Sequence, residues 1–353
     1  MTRAAAALLL VAACSSGSTQ AGPTVTVPPT SPAVTAAPLP GSAPAVAGGP
    51  VGRVASETFA SAALGVDKTV MVYLPAGYDD APAKRWPVLY YLHGLGGDET
   101  NWIQYGHLDH AADAIHLAAI VVMPDGDDGF YVDSAKPVDY AACMASGAGL
   151  FFPQRPHPET CVKHSSYESY ITKDLIGWVD ATYRTIATRE GRGIAGVSMG
   201  GFGALQLSMR HPELFGAAAS HSGIAALLYA GPEPYDAAKV KLVTDARTWG
   251  GSVGPIGPWV RGILGTDLAN WQAHDPAVLA AKLAPGRLPL YLDCGTEDDF
   301  HLEYGATYLD DILKQRKLEH VFYLGAGHHD FDFWSVRLPE SLAFFRDHLA
   351  AAR

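Results

Sequence analysis

The feature that most restricts the fold is a serine framed by glycines, between an apolar run and a helix-forming run. Gly196-Val197-Ser198-Met199-Gly200 ends the apolar residues 194–197 and precedes a helical pattern over 203–210. In this context Gly-x-Ser-x-Gly is typical of a sharp strand-to-helix turn, because Cβ atoms at the glycines would collide. Such a turn projects the hydroxyl beyond the sheet, so we predict that Ser198 is a nucleophile.

Strand-like and helix-like segments alternate from residue 51 onward. The continuous apolar runs suit strands that are covered on both faces. They lie at 70–74, 88–92, 120–123, 194–197, 217–221, 288–292 and 321–324. Helical periodicity covers 167–183, 203–210, 304–314 and 334–349. The alternation predicts an α/β fold over residues 51–353, with a mostly parallel central sheet and helices on both faces.

Two long stretches do not fit this alternation. They lie near residues 132–163 and 224–284, between predicted sheet elements. We expect them to be insertions, placed where a lid or an acyl-binding wall would lie.

The first residues are typical of an export signal. Arg3 precedes a short apolar run that ends in Val11-Ala12-Ala13-Cys14, a pattern typical of a bacterial lipobox. We predict a signal peptide over 1–13 and lipidation of Cys14; the alternative is an ordinary signal peptide with an incidental cysteine. Residues 14–50 lack charge and aromatic side chains, which predicts a disordered tether. The protein is then exported, either anchored to the cell surface through its lipid or secreted.

The other cysteines and the net charge limit the possible partners. Cys143 and Cys161 lie in one irregular stretch and could form a disulfide in an oxidising compartment. Cys294 lies in an apolar run and is expected to be a buried thiol. The formal net charge is −11 and there is no basic cluster, which argues against nucleic-acid binding.

An oxyanion formed at Ser198 needs two backbone N–H donors. Met199, the residue after the nucleophile, is expected to supply one donor. The glycine-rich turn Leu92-His93-Gly94-Leu95-Gly96-Gly97 can supply the other, and Leu95 is the expected donor. We expect His93 to support this turn rather than to act as a base.

The acid and the base should follow the serine in the chain. Asp293-Cys294-Gly295-Thr296-Glu297-Asp298-Asp299 contains four carboxylates, of which position favours Asp298 over Glu297 and Asp299, while Asp293 is still within the strand. The turn Gly327-His328-His329-Asp330-Phe331 contains two candidate bases. The remaining histidines, including His107, His110 and His116, are expected on a solvated helix face, and we expect no metal site.

Together these segments resemble the esterase family that contains esterase D, bacterial feruloyl esterases and the mycobacterial antigen 85 mycolyltransferases. The resembling segments are 73–78, 92–97, 122–126, 174–175, 196–203, 294–298 and 327–331. The resemblance implies an α/β-hydrolase fold. Its Gly-x-x-Asp pattern implies Asp298 as the acid, and its His-Asp-Phe pattern implies His329 as the base. His328 and the stretch that contains both Cys143 and Cys161 depart from the family pattern.

The resulting hypothesis is a serine hydrolase of carboxylic esters that works through an acyl-enzyme and needs no cofactor. Its substrate would be a small-molecule or lipid ester, and the membrane would be contacted only through the lipid anchor. One alternative is an acyltransferase of the mycolyltransferase kind, which passes the acyl group to a sugar hydroxyl. Another is a non-catalytic surface protein on the same scaffold.

Overall fold

Eight strands form one sheet in the computed structural model, which describes residues 51–146, 160–249 and 256–353. The strands are β1 (Arg53–Ser61), β2 (Val66–Leu74), β3 (Val88–Leu92), β4 (Ile120–Pro124), β5 (Arg192–Val197), β6 (Ala217–His221), β7 (Leu290–Gly295) and β8 (His320–Gly325). Their order is β1-β2-β4-β3-β5-β6-β7-β8. Strands β3 to β8 are parallel, and β2 is antiparallel to both of its neighbours. The predicted α/β-hydrolase fold with a mostly parallel sheet is confirmed.

Strand β1 was not predicted from the sequence. It lies at the edge of the sheet and pairs only with β2. Most of its side chains are exposed or half-buried, so it lacks the continuous apolar run that marks the inner strands. The predicted strand at 288–292 is shifted in the structure, where β7 continues through Asp293 and Cys294 to Gly295.

The helices fill the connections between the strands. They are α1 (Asn101–Gln104), α2 (Leu108–Ala114), α3 (Tyr140–Ser146), α4 (Tyr167–Ser169), α5 (Ile176–Thr182), α6 (Met199–Arg210), α7 (Ile256–Leu264), α8 (Leu268–His274), α9 (Pro276–Ala280), α10 (Leu302–Arg316) and α11 (Phe331–His348). A π-helical segment, Tyr170–Leu175, joins α4 to α5 within the helix predicted over 167–183. Helix α6 begins directly after Ser198, four residues earlier than its apolar periodicity indicated.

Alternate side chains of the strands enter two separate cores. Tyr90 and Ile194 pack on one face of the sheet, with residues of α5, α6 and α10. Tyr91 and Val197 pack on the opposite face, with residues of α2 and α11. The period of two along each strand therefore fixes which side chains meet which helix layer.

The two predicted insertions contain short helices rather than sheet strands. Helix α3 lies in the first insertion, and helices α7, α8 and α9 lie in the second. Residues 147–159 and 250–255 of these insertions, together with the predicted leader, Cys14 and the tether, lie outside the described residues. Among the helices that the structure describes, none is long and apolar enough to cross a membrane.

Candidate active site

Ser198 lies at the turn between β5 and α6 in a strained backbone conformation. Its φ is 54° and its ψ is −116°, a region that residues with a Cβ seldom adopt. Its own N–H donates to the carbonyl of His221 on the neighbouring strand at 2.9 Å. A Cβ at Gly200 would lie 2.4 Å from the carbonyl oxygen of Leu92, and one at Gly196 would lie 2.4 Å from the Gly200 backbone. Both glycines are therefore required by close backbone contact, as the motif predicted.

His329 lies on the loop after β8 and contacts the serine directly. Its Nε2 is 2.8 Å from Ser198 Oγ, and its side chain is only 7% exposed. The imidazole is held edge-on between Phe300, at a centroid distance of 4.8 Å, and Trp334, at 5.0 Å. These aromatic contacts leave the ring little freedom to rotate, so Nε2 stays directed at the hydroxyl.

Asp298 orients this histidine from the loop after β7. Its Oδ2 accepts a hydrogen bond from His329 Nδ1 at 2.7 Å, and its Oδ1 accepts from the N–H groups of Phe300 at 2.9 Å and Leu302 at 3.4 Å. The carboxylate is almost fully buried. Burial alone would raise the pKa of Asp298, but the hydrogen bond and charge of His329, with the two backbone donors, hold it below its ordinary value. The carboxylate is thus ionised where it faces the imidazole.

The competing candidates lie elsewhere around this loop. His328 is exposed, and its ring lies 3.9 Å from both Glu297 and Asp299 rather than against Ser198. Asp299 accepts the backbone N–H of His329, at 3.2 Å, and not its ring, and Glu297 is 59% exposed. Asp293 is buried in β7 and pairs with a different histidine. The structure therefore brings together Ser198, His329 and Asp298 and leaves the other candidates outside the array.

The two residues that are expected to supply oxyanion donors, Leu95 and Met199, lie around the same cavity as Ser198. Met199 is the first residue of α6, where a backbone N–H has no partner within the helix and forms part of the positive end of the helix dipole. A Cβ on Gly94 would lie only 3.4 Å from the Cβ of Ser198, so the loop before Leu95 passes directly over the nucleophile.

The cavity beside the array has a volume of about 430 Å³. The second insertion contributes Trp249 and Ile256 to its apolar wall, and Phe130, which precedes the first insertion, adds a further ring. Its described lining consists of Gly94, Leu95, Asn101, Phe130, Val197, Ser198, Met199, Ile224, Trp249, Ile256, Phe300, Leu302, His329, Phe331 and Trp334. Among these described lining residues, no side chain except His329 carries a titratable group, so this part of the cavity is suited to an apolar group next to Ser198.

The cysteines among the described residues have the states expected from the sequence. Cys143 and Cys161 form a disulfide. Cys294 is a buried free thiol, and burial raises its pKa well above the ordinary value. Its Sγ lies 3.7 Å from Asp298 Oδ2, beneath the acid.

A second Ser–His–Asp array was missed by the sequence analysis. His221 on β6 is hydrogen-bonded through Nδ1 to Asp293 Oδ2 at 2.7 Å and through Nε2 to Ser341 Oγ at 3.0 Å. The side chains of His221 and Asp293 have no exposed surface, and Ser341 is fully buried in α11. Because no substrate can reach this array, we interpret it as structural: its hydrogen bonds connect β6, β7 and α11. Its members are scattered in the chain and form no motif.

The described residues contain no group of three or more histidine, cysteine or carboxylate side chains that could hold a metal ion. His107, His110 and His116 lie exposed around α2. His107 and His110 stack on each other with ring centroids 5.9 Å apart.

Comparisons with known proteins identify the family of the chain. The family model described as "Putative esterase" matches residues 61–345. The chain belongs to this esterase family. An esterase of Mycobacterium tuberculosis is 32% identical over 170 residues, which cover 48% of this chain and 32% of that relative. This chain therefore matches only about a third of the length of that relative.

Two further proteins, one similar in sequence and one similar in structure, match most of the chain. An acetyl esterase of Caldicellulosiruptor saccharolyticus is 23% identical over 286 residues, which cover 78% of this chain and 92% of the relative. The solved structure of a ferulic acid esterase superposes with a TM-score of 0.61 at 20% identity, and covers 86% of this chain and 100% of that chain. At this identity the superposition shows the shared α/β-hydrolase fold.

Proposed function

We propose that the protein is a serine hydrolase of carboxylic esters, with Ser198 as nucleophile, His329 as general base and Asp298 as the orienting acid. The observation that carries the proposal is the position of His329. It bridges Ser198 Oγ at 2.8 Å and Asp298 Oδ2 at 2.7 Å at the edge of an apolar cavity. Membership of an esterase family supports the same reaction.

The proposed chemistry follows from these contacts. His329 Nε2 takes the proton of Ser198 as Oγ attacks the ester carbonyl, and the buried carboxylate of Asp298 stabilises the imidazolium that forms. The N–H groups of Leu95 and Met199 bind the oxyanion. His329 then protonates the departing alcohol, which leaves an acyl group on Ser198. A water activated by the same histidine releases the acid.

The cavity favours hydrolysis of esters with acyl groups of moderate size. A volume of about 430 Å³ lies in the lower part of the range typical of small-ligand sites. Relatives named acetyl esterase and feruloyl esterase also act on compact acyl groups, by their names. Transfer of the acyl group to a sugar would use the same acyl-enzyme, so the assay must distinguish transfer from hydrolysis.

The test is release of p-nitrophenol from esters of increasing chain length, with and without trehalose, beside a Ser198→Ala variant. We expect Ser198-dependent release that is fastest on short or compact acyl groups and is unaffected by the sugar. Formation of acylated trehalose would instead assign the protein as an acyltransferase. Equal release by the wild-type protein and Ser198→Ala would reject the nucleophile, and a protein with no turnover on any ester would support the non-catalytic alternative.

We also propose that residues 1–13 direct export, that Cys14 carries a lipid, and that residues 14–50 tether the domain 51–353 to the membrane. The lipobox-like residues support this proposal, and the Cys143–Cys161 disulfide is consistent with an oxidising compartment. Mass spectrometry of the N-terminal peptide should show a diacylglyceryl adduct on Cys14. An unmodified Cys14 in the cell-associated protein would contradict lipidation.

A further inference from the structure

The peptide that joins Gly94 to Leu95 is fixed in direction by its carbonyl end. The Gly94 carbonyl accepts two hydrogen bonds, one from the Gly97 N–H at 3.0 Å and one from His93 Nδ1 at 2.8 Å. A trans peptide is planar, so its N–H points opposite to its C=O. The donors on the Gly94 carbonyl therefore decide where the Leu95 N–H points.

The tautomer of His93 is set by a second backbone contact. The N–H of Gly126, just after β4, donates to His93 Nε2 at 2.8 Å. A nitrogen that accepts this bond carries no proton, so the ring proton lies on Nδ1, which is the nitrogen that donates to Gly94. The ring is completely buried, and both of its nitrogens are used within the protein.

Residues 125–128, here called the clamp segment, are themselves held by a buried charge cluster. Lys68 of β2 lies 2.8 Å from Asp125 and 2.9 Å from Asp127, and its side chain is 1% exposed. Burial alone would lower the pKa of Lys68, but the two carboxylates hold it above its ordinary value, so the ammonium stays charged. At the other end of the segment, Asp128 Oδ1 accepts the N–H of Gly96 at 2.8 Å.

We infer that His93 is a positioning residue for the oxyanion hole: the clamp segment fixes its tautomer, and its Nδ1–H turns the Gly94–Leu95 peptide so that the Leu95 N–H faces the oxyanion. This inference rests on the proposed function. Neither nitrogen of His93 is free for substrate, so its effect on the reaction passes through the backbone of Leu95. Asp128 restrains the same loop from its other side.

The test compares His93→Ala with His93→Asn in the full chain, with a p-nitrophenyl ester as substrate. Loss of one oxyanion donor typically lowers kcat by about 10² to 10³. We expect His93→Ala to lose kcat on this scale with KM within about threefold of wild type. His93→Asn, whose amide N–H can replace Nδ1–H, should have a kcat at least about tenfold higher than that of His93→Ala. Phosphonylation of Ser198 by a fluorophosphonate should slow in the same order.

The matched control is His274→Ala. His274 is also buried and also donates from Nδ1 to a backbone carbonyl, that of Asn270 at 2.8 Å, but it lies on α8. We expect this variant to lose stability while the folded protein keeps the wild-type kcat. If His93→Ala destabilises the chain too far to assay, Asp128→Ala serves instead, and should lower kcat by about tenfold with KM unchanged.

Two results would overturn the inference. One is a folded His93→Ala, or Asp128→Ala where that variant is needed, with kcat within threefold of wild type. The other is an equal loss of kcat in His93→Ala and His274→Ala. Failure of the proposed function gives a different result, because Ser198→Ala would then match the wild-type protein whatever stands at position 93.

Discussion

Replacing Asp298 by asparagine tests the array most sharply, because the structure dictates how the new amide must lie. Oδ1 of Asp298 accepts the N–H groups of Phe300 and Leu302, so the carbonyl oxygen of an asparagine must take this position. Its NH₂ group then faces His329 Nδ1, which in the wild-type protein donates to Oδ2 at 2.7 Å. The reversed amide would set NH₂ against two backbone donors, at a cost of about 1–3 kcal/mol for each unsatisfied group.

A donor at this position moves the imidazole proton of His329 from Nδ1 to Nε2. Nε2 is the atom that lies 2.8 Å from Ser198 Oγ, and once protonated it has no lone pair to take the hydroxyl proton. In serine hydrolases, the same tautomer change lowers kcat by about 10⁴. That factor corresponds to about 5.5 kcal/mol of lost transition-state stabilisation.

The assay is kcat for a short p-nitrophenyl ester at pH 8, with thermal unfolding to show that the variant is folded. Asp299→Asn and Glu297→Gln are matched controls, since both carboxylates are exposed on the same loop. We expect the controls to stay within about tenfold of wild type. A folded Asp298→Asn that also stays within tenfold, or an Asp299→Asn that loses more activity than Asp298→Asn, would refute the assignment of the acid.

Further predictions concern stability and the residues beneath the site. The pKa of Asp298 is lower in the folded protein than its unfolded value of about 3.9, so ionised Asp298 stabilises the fold above that value. This stabilisation is lost as the pH falls through the folded pKa. Urea unfolding at pH 7 and pH 3 should therefore show that the wild-type protein loses stability relative to Asp298→Asn. Ser341→Ala should cost about 1–3 kcal/mol in urea unfolding but keep kcat within about threefold, whereas Ser198→Ala should abolish turnover; inactivation by Ser341→Ala would contradict a purely structural role. Gly200→Ala should destabilise the fold by more than about 2 kcal/mol, since its Cβ would meet backbone at 2.4 Å. Gly177→Ala, in a helix and with nothing within 4 Å of the added Cβ, should instead stabilise it by about 0.5–1 kcal/mol, and the opposite order in thermal unfolding would contradict both contact environments.

The sequence by itself determined the features that depend on neighbouring residues. Gly196 is required by its contact with the nearby Gly200 backbone, so the turn at Ser198 could be recognised from the local motif, whereas the close contact of Gly200 is with the Leu92 carbonyl, far away in the chain. The inner strands of the parallel sheet are covered on both faces, so their continuous apolar runs marked them in advance. Strand β1, at the edge and mostly exposed, left no such signal.

Only the tertiary structure decided which side chains meet. The residues alone left His328 and His329 open as bases, and the family pattern favoured the second. The contact with Ser198 joins residues 131 positions apart and depends on how β8 lies in the sheet and on the aromatic rings that hold the imidazole. The buried array of His221, Asp293 and Ser341 has no sequence motif for the same reason. Side-chain direction is set by long-range packing, which local spacing does not encode.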